Sequence, residues 1–248
     1  MVVILGPTAS GKTSLAVKLA YDFNGEIISA DSRQNYKGMD IGTGKDLEEY
    51  IINNRKIIYH LIDIISPTID YSVFQFKQDY FDAYQAIINK NKNPFLCGGT
   101  GLYIESVLLD YQIMETPPNL ELRQKLESYN RNQLIEYLEA IKKHTFNPDY
   151  HKSNRRLIRS IEILSSNNMI DLDMDMQNNI LNNTLVIGIK IDREQNLKLI
   201  KQRLYERLSN GMIEEVEQLI ADGLDVARLQ YFGLEYKFIG QYLSNDLS

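Results

Sequence analysis

Cysteine is almost missing from this 248-residue chain, where Cys97 stands alone. One thiol closes no disulfide within the chain and builds no cysteine-based zinc site. Its surroundings, Pro94-Phe95-Leu96-Cys97-Gly98, read as a buried strand and so as an inert core thiol. Tryptophan is absent, and the three histidines, His60, His144 and His151, are spread too widely to suggest a metal cluster. No apolar run approaches the roughly 20 residues that span a bilayer. Met1 leads straight into Val2-Val3-Ile4-Leu5 with no basic leader or cleavage site, so neither a membrane span nor a secretory signal is expected, and a cytoplasmic location is. Positive charge is in deficit as well. Twenty-seven Lys and Arg against 33 Asp and Glu leave a formal net charge of −6. That excludes a protein that coats nucleic acid by overall charge, though a local basic patch could still do so.

The chain has enough apolar residues for a substantial core, and their spacing sets the fold class. Strand-like runs at 2–5, 26–30, 57–62 and 95–97 alternate with helical ones, including an amphipathic stretch at 71–89 and a helix at 102–109. Such alternation predicts a parallel sheet flanked by helices. After Asp110 the strand signal stops, and 120–129, 132–143 and 154–164 read as consecutive helices, followed by an Asn-, Asp- and Met-rich loop at 167–183. Residues 184–191 return as a strand, and helices are expected at 193–210 and 212–222. The expected architecture is α/β, a P-loop NTPase-like core over 1–112 and 184–248 with a small all-helical insertion lobe at 113–183.

The first strand runs into Gly6-Pro7-Thr8-Ala9-Ser10-Gly11-Lys12-Thr13. This is G-x-x-x-x-G-K-[ST], whose glycines let the backbone curl so that successive N–H groups point at an anion, at the positive end of the following helix. Lys12 is placed to reach terminal phosphates, and the Thr13 hydroxyl to meet Mg²⁺. Alone, the loop announces only a bound polyphosphate, a nucleotide such as ATP or another diphosphate.

Later motifs narrow the choice. Asp31-Ser32-Arg33-Gln34 follows the second strand, at the carboxyl end where open α/β sheets place ligands. Gly38-Met39-Asp40-Ile41-Gly42-Thr43-Gly44-Lys45 reads as a second loop arching over a site. Gly98-Gly99-Thr100-Gly101-Leu102-Tyr103 and Arg155-Arg156-Leu157-Ile158-Arg159 come next. In this order and spacing, from Val2 to about Leu243, the motifs resemble those of the tRNA dimethylallyltransferases, also called tRNA isopentenyltransferases.

The resemblance implies transfer of a dimethylallyl group from dimethylallyl diphosphate to the exocyclic N6 of the adenosine 3′ of the anticodon, releasing diphosphate with Mg²⁺ present. It implies that Asp31 is the catalytic aspartate, the candidate base. It also implies that Thr100 lines the channel opposite and that Arg203 reaches the diphosphate from the C-terminal helices. Contacts to tRNA are implied for Asp31, Ser32, Arg33, Gln34, Thr100, Arg123, Arg155, Arg156, Leu157, Ile158 and Arg159. The partners implied are tRNA and dimethylallyl diphosphate, with the chain acting as a monomer away from membranes. The chemistry agrees: an exocyclic amine is a poor nucleophile that a carboxylate helps by taking its proton, and a departing diphosphate needs preorganised cations. Asp31 also reads as a Mg²⁺ ligand or a helix cap, and Asp63 rivals it for the metal role.

Two departures from the family pattern stand out. Ser153 and Asn154 lie where an Asp is common, and the sequence ends at Ser248, before the basic helix that usually follows Gly233-Leu234-Glu235-Tyr236. A weaker grip on RNA is the expected consequence, because phosphate contacts supply much of nucleic-acid affinity. Three other readings stay open at this point: an adenylate isopentenyltransferase, a small-molecule kinase, and a tRNA-binding paralogue without turnover.

Overall fold

The computed structural model describes residues 1–109, 116–141, 153–166 and 183–245. In chain order its strands are β1 (Val2–Leu5), β2 (Gly25–Ser29), β3 (Ile51–Ile52), β4 (Arg55–Lys56), β5 (Tyr59–His60), β6 (Asn93–Gly98) and β7 (Leu185–Gly188). β3 and β4 form a small antiparallel hairpin, and the other five make one sheet ordered β5-β2-β6-β1-β7, every pair parallel. A parallel sheet covered on both faces needs nearly continuous apolar strands. Alternate residues then sort to opposite faces. Val3, Ile28 and Leu96 pack into one cluster, while Ile4, Ile27, Phe95 and Cys97 pack into the other.

The helices are α1 (Lys12–Asp22), α2 (Val73–Asn89), α3 (Gly101–Leu108), α4 (Leu120–Glu127), α5 (Arg131–Ile141), α6 (Asn154–Ser165), α7 (Arg193–Ser209), α8 (Met212–Ala221), α9 (Val226–Leu229) and α10 (Leu234–Leu243). α1 covers the Ile4 face through Ala16, Val17 and Ala20. α2 and α3 cover the other face, and Met212, Val216, Tyr236 and Ile239 from α8 and α10 join the same cluster. Ser72 and Gln75 start α2 with reciprocal side-chain to backbone bonds, a capping box that fixes its first turn.

The chain divides into two compact units, 1–111 with 175–248, and 112–174. In the second, α4, α5 and α6 bury Leu126, Leu134, Leu138, Leu157 and Ile161 among themselves.

Several elements differ from the sequence expectation. Only Tyr59–His60 of 57–62 pairs as strand, because Leu61 and Asp63 take positive φ values of 62° and 58° and turn the backbone out of the sheet. Of 184–191, Leu185–Gly188 forms the strand, since β1, its neighbour among the described residues, is four residues long. The β3–β4 hairpin and α10 were not foreseen. The loop expected at 167–183 falls, apart from Asn183, outside the described residues, as does the end of the helix expected at 132–143.

At the amino-terminal end of β2, Glu26 is 1% exposed and meets His60 Nε2 at 2.7 Å, Lys92 Nζ at 2.7 Å and Lys90 Nζ at 3.2 Å. Burial alone would raise this carboxyl, but the hydrogen bonds from Lys92, His60 and Lys90 outweigh it and hold Glu26 down at about 2. A carboxyl depressed in the folded state stabilises the fold above its unfolded value, and that stabilisation fades as pH falls from about 4.5 toward 2. Glu26→Gln should therefore cost about 3 kcal/mol at neutral pH and little at pH 2, read by denaturant unfolding at both pH values. An equal loss at both would assign Glu26 a packing role without charge.

Candidate active site

The sheet order brings three sequence-distant segments together at the carboxyl ends of its central strands. β2, β6 and β1 are consecutive neighbours, spaced about 4.8 Å apart as in any sheet, so the loops leaving their carboxyl ends converge. From β1 comes the phosphate loop, with Ala9 at φ 61° and Gly11 at φ 78° turning the backbone inward before α1. Lys12 Nζ donates to the Pro7 carbonyl at 2.6 Å, and burial lowers its amine below the ordinary lysine value. Ser10 Oγ is buried without a hydrogen-bond partner, a donor left over inside the loop.

From β2 comes Asp31. Its Oδ1 accepts from Arg33 N at 2.9 Å, and its other oxygen has no protein partner among the described residues. From β6 comes Thr100, whose N donates to the Ala30 carbonyl at 3.1 Å. A Cβ on Gly98 would lie 2.2 Å from that same carbonyl oxygen, so only glycine lets the two strand ends close on each other. Thr100 Oγ1 accepts from Ser32 N at 3.0 Å and donates to Ser32 Oγ at 3.3 Å. It thereby fixes the segment that carries Asp31.

A fourth wall is the 38–45 loop, which is pinned by residues the sequence reading missed. Backbone N–H groups of Asp40, Ile41 and Gly42 all donate to the Glu215 carboxylate, at 2.7, 2.6 and 3.1 Å, and Tyr236 Oη donates to it at 2.6 Å. Lys45 is 1% exposed. It donates to the Tyr36 carbonyl at 2.7 Å and to Asp40 Oδ1 at 2.6 Å, and it pairs with Asp63. Asp63 is thus held as a counter-ion of Lys45, and the metal role weighed for it is withdrawn. Gln34 is buried, accepting from Ser29 Oγ at 2.9 Å and donating to the Gly44 carbonyl at 3.0 Å. Its amide is engaged in holding the loop. Arg33 bonds the Tyr231 carbonyl and stacks 5.5 Å from that ring.

Together these walls and α7 enclose a cavity of about 230 Å³ whose lining includes Lys12, Thr13, Asp31, Gly44, Arg203 and Arg207. Thr8 and Ala9 also line it, whereas Gly6, Pro7, Ser10 and Gly11 shape the turn behind, and Thr100 supports the site through Ser32. Arg203 pairs with Asp46. Cys97 reaches the cavity too, but burial pushes its thiol up to about 12, so it stays an uncharged wall.

Among the described residues no group of three His, Cys, Asp or Glu could hold a metal. A Mg²⁺ carried on a diphosphate asks less, one or two protein oxygens beside its waters and the phosphate. The Thr13 hydroxyl, on the cavity, fits that donor set.

The second unit holds the remaining predicted residues. Arg123 donates through Nε and Nη2 to the two oxygens of Glu162 at 2.7 and 2.9 Å. Arg159 donates to Glu162 at 3.2 Å and to the Thr116 carbonyl at 2.7 Å. These two guanidiniums are therefore engaged within the lobe. Leu157 is completely buried and belongs to the lobe core, so its side chain is a packing residue and not an RNA contact. Ile158 is half-buried, whereas Arg155 and Arg156 are exposed.

Comparison with known proteins agrees with this arrangement. The sequence profile of the IPP transferase family matches residues 34–248. A protein of Parabacteroides distasonis named tRNA dimethylallyltransferase 1 is 46% identical over 251 residues, covering 100% of this chain and 80% of its own. A Bacteroides fragilis protein named tRNA dimethylallyltransferase 2 is 47% identical over 242 residues, covering 98% and 78%. The crystal structure of the full-length tRNA isopentenylpyrophosphate transferase from Bacillus halodurans superposes with a TM-score of 0.66 at 31% identity, covering 100% of this chain and 78% of that one. With its phosphate loop, Asp31 and Thr100 gathered at the carboxyl ends of the central strands, the chain belongs to the IPP transferase family, the tRNA dimethylallyltransferases.

Proposed function

We propose that this chain transfers the dimethylallyl group of dimethylallyl diphosphate to N6 of the adenosine 3′ of the anticodon in tRNA, releasing diphosphate. The observation that carries this reading is the junction of an anion-binding loop and an open carboxylate oxygen in one cavity. The phosphate loop and Lys12 receive the diphosphate, and Arg203 approaches it from α7. Asp31 faces the acceptor, accepts a hydrogen bond from the N6 amine, and takes its proton as the carbon–nitrogen bond forms and the allylic carbon–oxygen bond breaks. Charge that builds on the leaving oxygens is met by Lys12, Arg203 and the loop N–H groups, already in place. Thr13 would hold a Mg²⁺ carried in with the diphosphate, and that ion would supply further neutralisation of the leaving group.

Thr100 is a positioning residue in this scheme, acting through Ser32 on the Asp31 turn. Ser32, Arg33, Arg155, Arg156 and Ile158 are proposed for the tRNA surface. A single unstacked adenosine must enter, and the flanking backbone must be held by cations. Among the described residues no helix is long and apolar enough to cross a membrane.

The test is mass spectrometry of nucleosides from unmodified tRNA incubated with the protein, dimethylallyl diphosphate and Mg²⁺, with AMP as a parallel acceptor. Isopentenyladenosine is expected from the tRNA sample alone. Product from AMP alone would replace the acceptor in this reading with a free nucleotide.

A further inference from the structure

We propose that Tyr50 is a further catalytic residue, whose hydroxyl donates a hydrogen bond to the leaving oxygen of the donor's diphosphate. The inference rests on the reading above for the donor and adds a neutral group to its chemistry.

Tyr50 ends a short 3₁₀ turn, Leu47–Tyr50, that precedes the β3–β4 hairpin. Both ends of that turn are tied down. Asp46, just before it, pairs with Arg203, and the Tyr50 carbonyl accepts from Ile57 N at 2.7 Å. The ring belongs to the cluster that α1 covers on the Ile4 face. It meets Tyr59 at a steep angle, with centroids 4.8 Å apart and planes at 64°, an arrangement aromatic pairs favour. Apolar contacts therefore fix the body of the side chain.

The hydroxyl is the part that packing leaves unexplained. Tyr50 is 2% exposed and lines the cavity with Lys12, Thr13 and Asp31. Tyrosine hydroxyls at such depth normally find a partner, as those of Tyr71 and Tyr236 do on Asp79 and Glu215. The Tyr50 hydroxyl has none among the described residues. It is not sealed off in the packing either, so the space left to it is the cavity.

The surroundings choose the ligand. Burial first, and then Cys97, Glu49, Tyr59 and Asp31, push this hydroxyl above the ordinary tyrosine range. It keeps its proton at neutral pH and acts as a donor, not as a base. Hydrogen bonds from such a donor are strongest to a charged oxygen. Asp31 is one anion on the lining, but no bond joins it to Tyr50, and its Oδ1 accepts from Arg33 N. The entering diphosphate is the other. Tyr50 packs with residues of the helix that follows the phosphate loop, and it stands near enough to Asp31 to feel that charge. The carbon–oxygen bond breaks between the phosphate loop and Asp31, so the departing oxygen is the one this hydroxyl meets.

In that step the electrons of the carbon–oxygen bond pass to the diphosphate, the N6 amine forms the new bond to carbon, and its proton goes to Asp31. Tyr50 keeps its own proton. Its hydrogen bond strengthens as charge grows on the departing oxygen, which is how a preorganised donor lowers a barrier.

The experiment compares wild type with Tyr50→Phe in the full chain, by single-turnover kinetics at saturating dimethylallyl diphosphate and by calorimetric titration of inorganic pyrophosphate with Mg²⁺. Phenylalanine keeps the ring on Tyr59 and removes only the hydroxyl, so a packing role would leave both readouts unmoved. The single-turnover rate and the pyrophosphate affinity should each fall roughly 10- to 100-fold, the range for one hydrogen bond to a charged group. The KM for tRNA should stay where it is. Wild-type pyrophosphate affinity in a folded Tyr50→Phe protein would overturn the proposal. A change confined to the KM for tRNA would overturn it too, by giving the hydroxyl to the acceptor. Should the variant fail to fold, 3-fluorotyrosine placed at position 50 carries the test, since pyrophosphate must then shift its ¹⁹F resonance and an unmoved resonance overturns the proposal. Pyrophosphate binding needs no turnover. A wild type that binds it, and a Tyr50→Phe protein that loses it, uphold the hydroxyl's place even if no prenylated tRNA forms, and the donor assignment alone would then fail.

Discussion

Asp31→Ala should slow single-turnover prenylation of tRNA by a factor of about 10² to 10⁴, the usual contribution of a positioned general base. The argument is geometric. Asp31 follows β2, on the strand pairing with β6, which in turn pairs with β1 and its phosphate loop. One carboxylate oxygen holds the turn through Arg33 N, and the other is open to the cavity. Losing the side chain removes one backbone tether of modest value and the whole of the base. Thr100 still ties Ser32 in place, so the turn should survive, and pyrophosphate affinity should match wild type. Asp31→Asn separates the two duties, since its amide oxygen can still accept from Arg33 N but cannot take a proton. Its rate should fall with that of the alanine variant. An asparagine enzyme near wild-type rate would move proton acceptance to another group, and Asp31 would become a positioning residue.

Much of this site was legible in the sequence because it is built from local patterns. The phosphate loop needs only its own glycines and the helix behind it, and Ala9 and Gly11 take the positive φ values such a turn requires. The alternating apolar runs likewise announced a parallel sheet with helices on both faces. What stayed hidden depends on partners far along the chain. Glu215 lies 173 to 175 residues from the N–H groups it gathers, and nothing in an amphipathic helix distinguishes it from its solvated neighbours Glu214 and Glu217. Lys45 was read as part of a loop over the site, but its burial between Asp40 and Asp63 rests on the turn at 61–63 that also ended the expected strand. Arg207 was not singled out, and its bond to the Gly42 carbonyl, 165 residues away, exists only once α7 packs on the loop.

The same limit applied to the basic segment on α6, where spacing alone could not say which arginines face outward. Glu162 decides it. This carboxylate is 2% exposed and receives Arg123 through two nitrogens, Arg159 through one, and Asn119 N at 2.9 Å. Burial alone would raise its pKa, yet the hydrogen bonds from Arg123, Asn119 and Arg159 hold it below the usual carboxylate range. Its stabilisation is therefore present at neutral pH and declines as pH falls below the ordinary glutamate value. Removing one partner of a fully buried ion pair typically costs about 3 to 5 kcal/mol, but the Arg123 and Arg159 side chains are each 38% exposed, so water meets the guanidiniums left behind and the cost is smaller. Glu162→Ala should accordingly destabilise the α4–α6 unit by roughly 1 to 3 kcal/mol, the range for lost hydrogen bonds to a charged group. Hydrogen exchange on the full chain would show it as lost protection in α4 and α6, with β1, β2 and β6 unchanged. Binding of tRNA should weaken at the same time, although Glu162 itself carries the wrong charge to touch a phosphate, because Arg155 and Arg156 ride on the helix it anchors. Glu162→Gln, which keeps the shape but not the charge, should lie between. Full protection in the alanine variant together with unchanged tRNA affinity would mean that Arg123 and Arg159 can leave Glu162 freely, and would return both to the RNA surface.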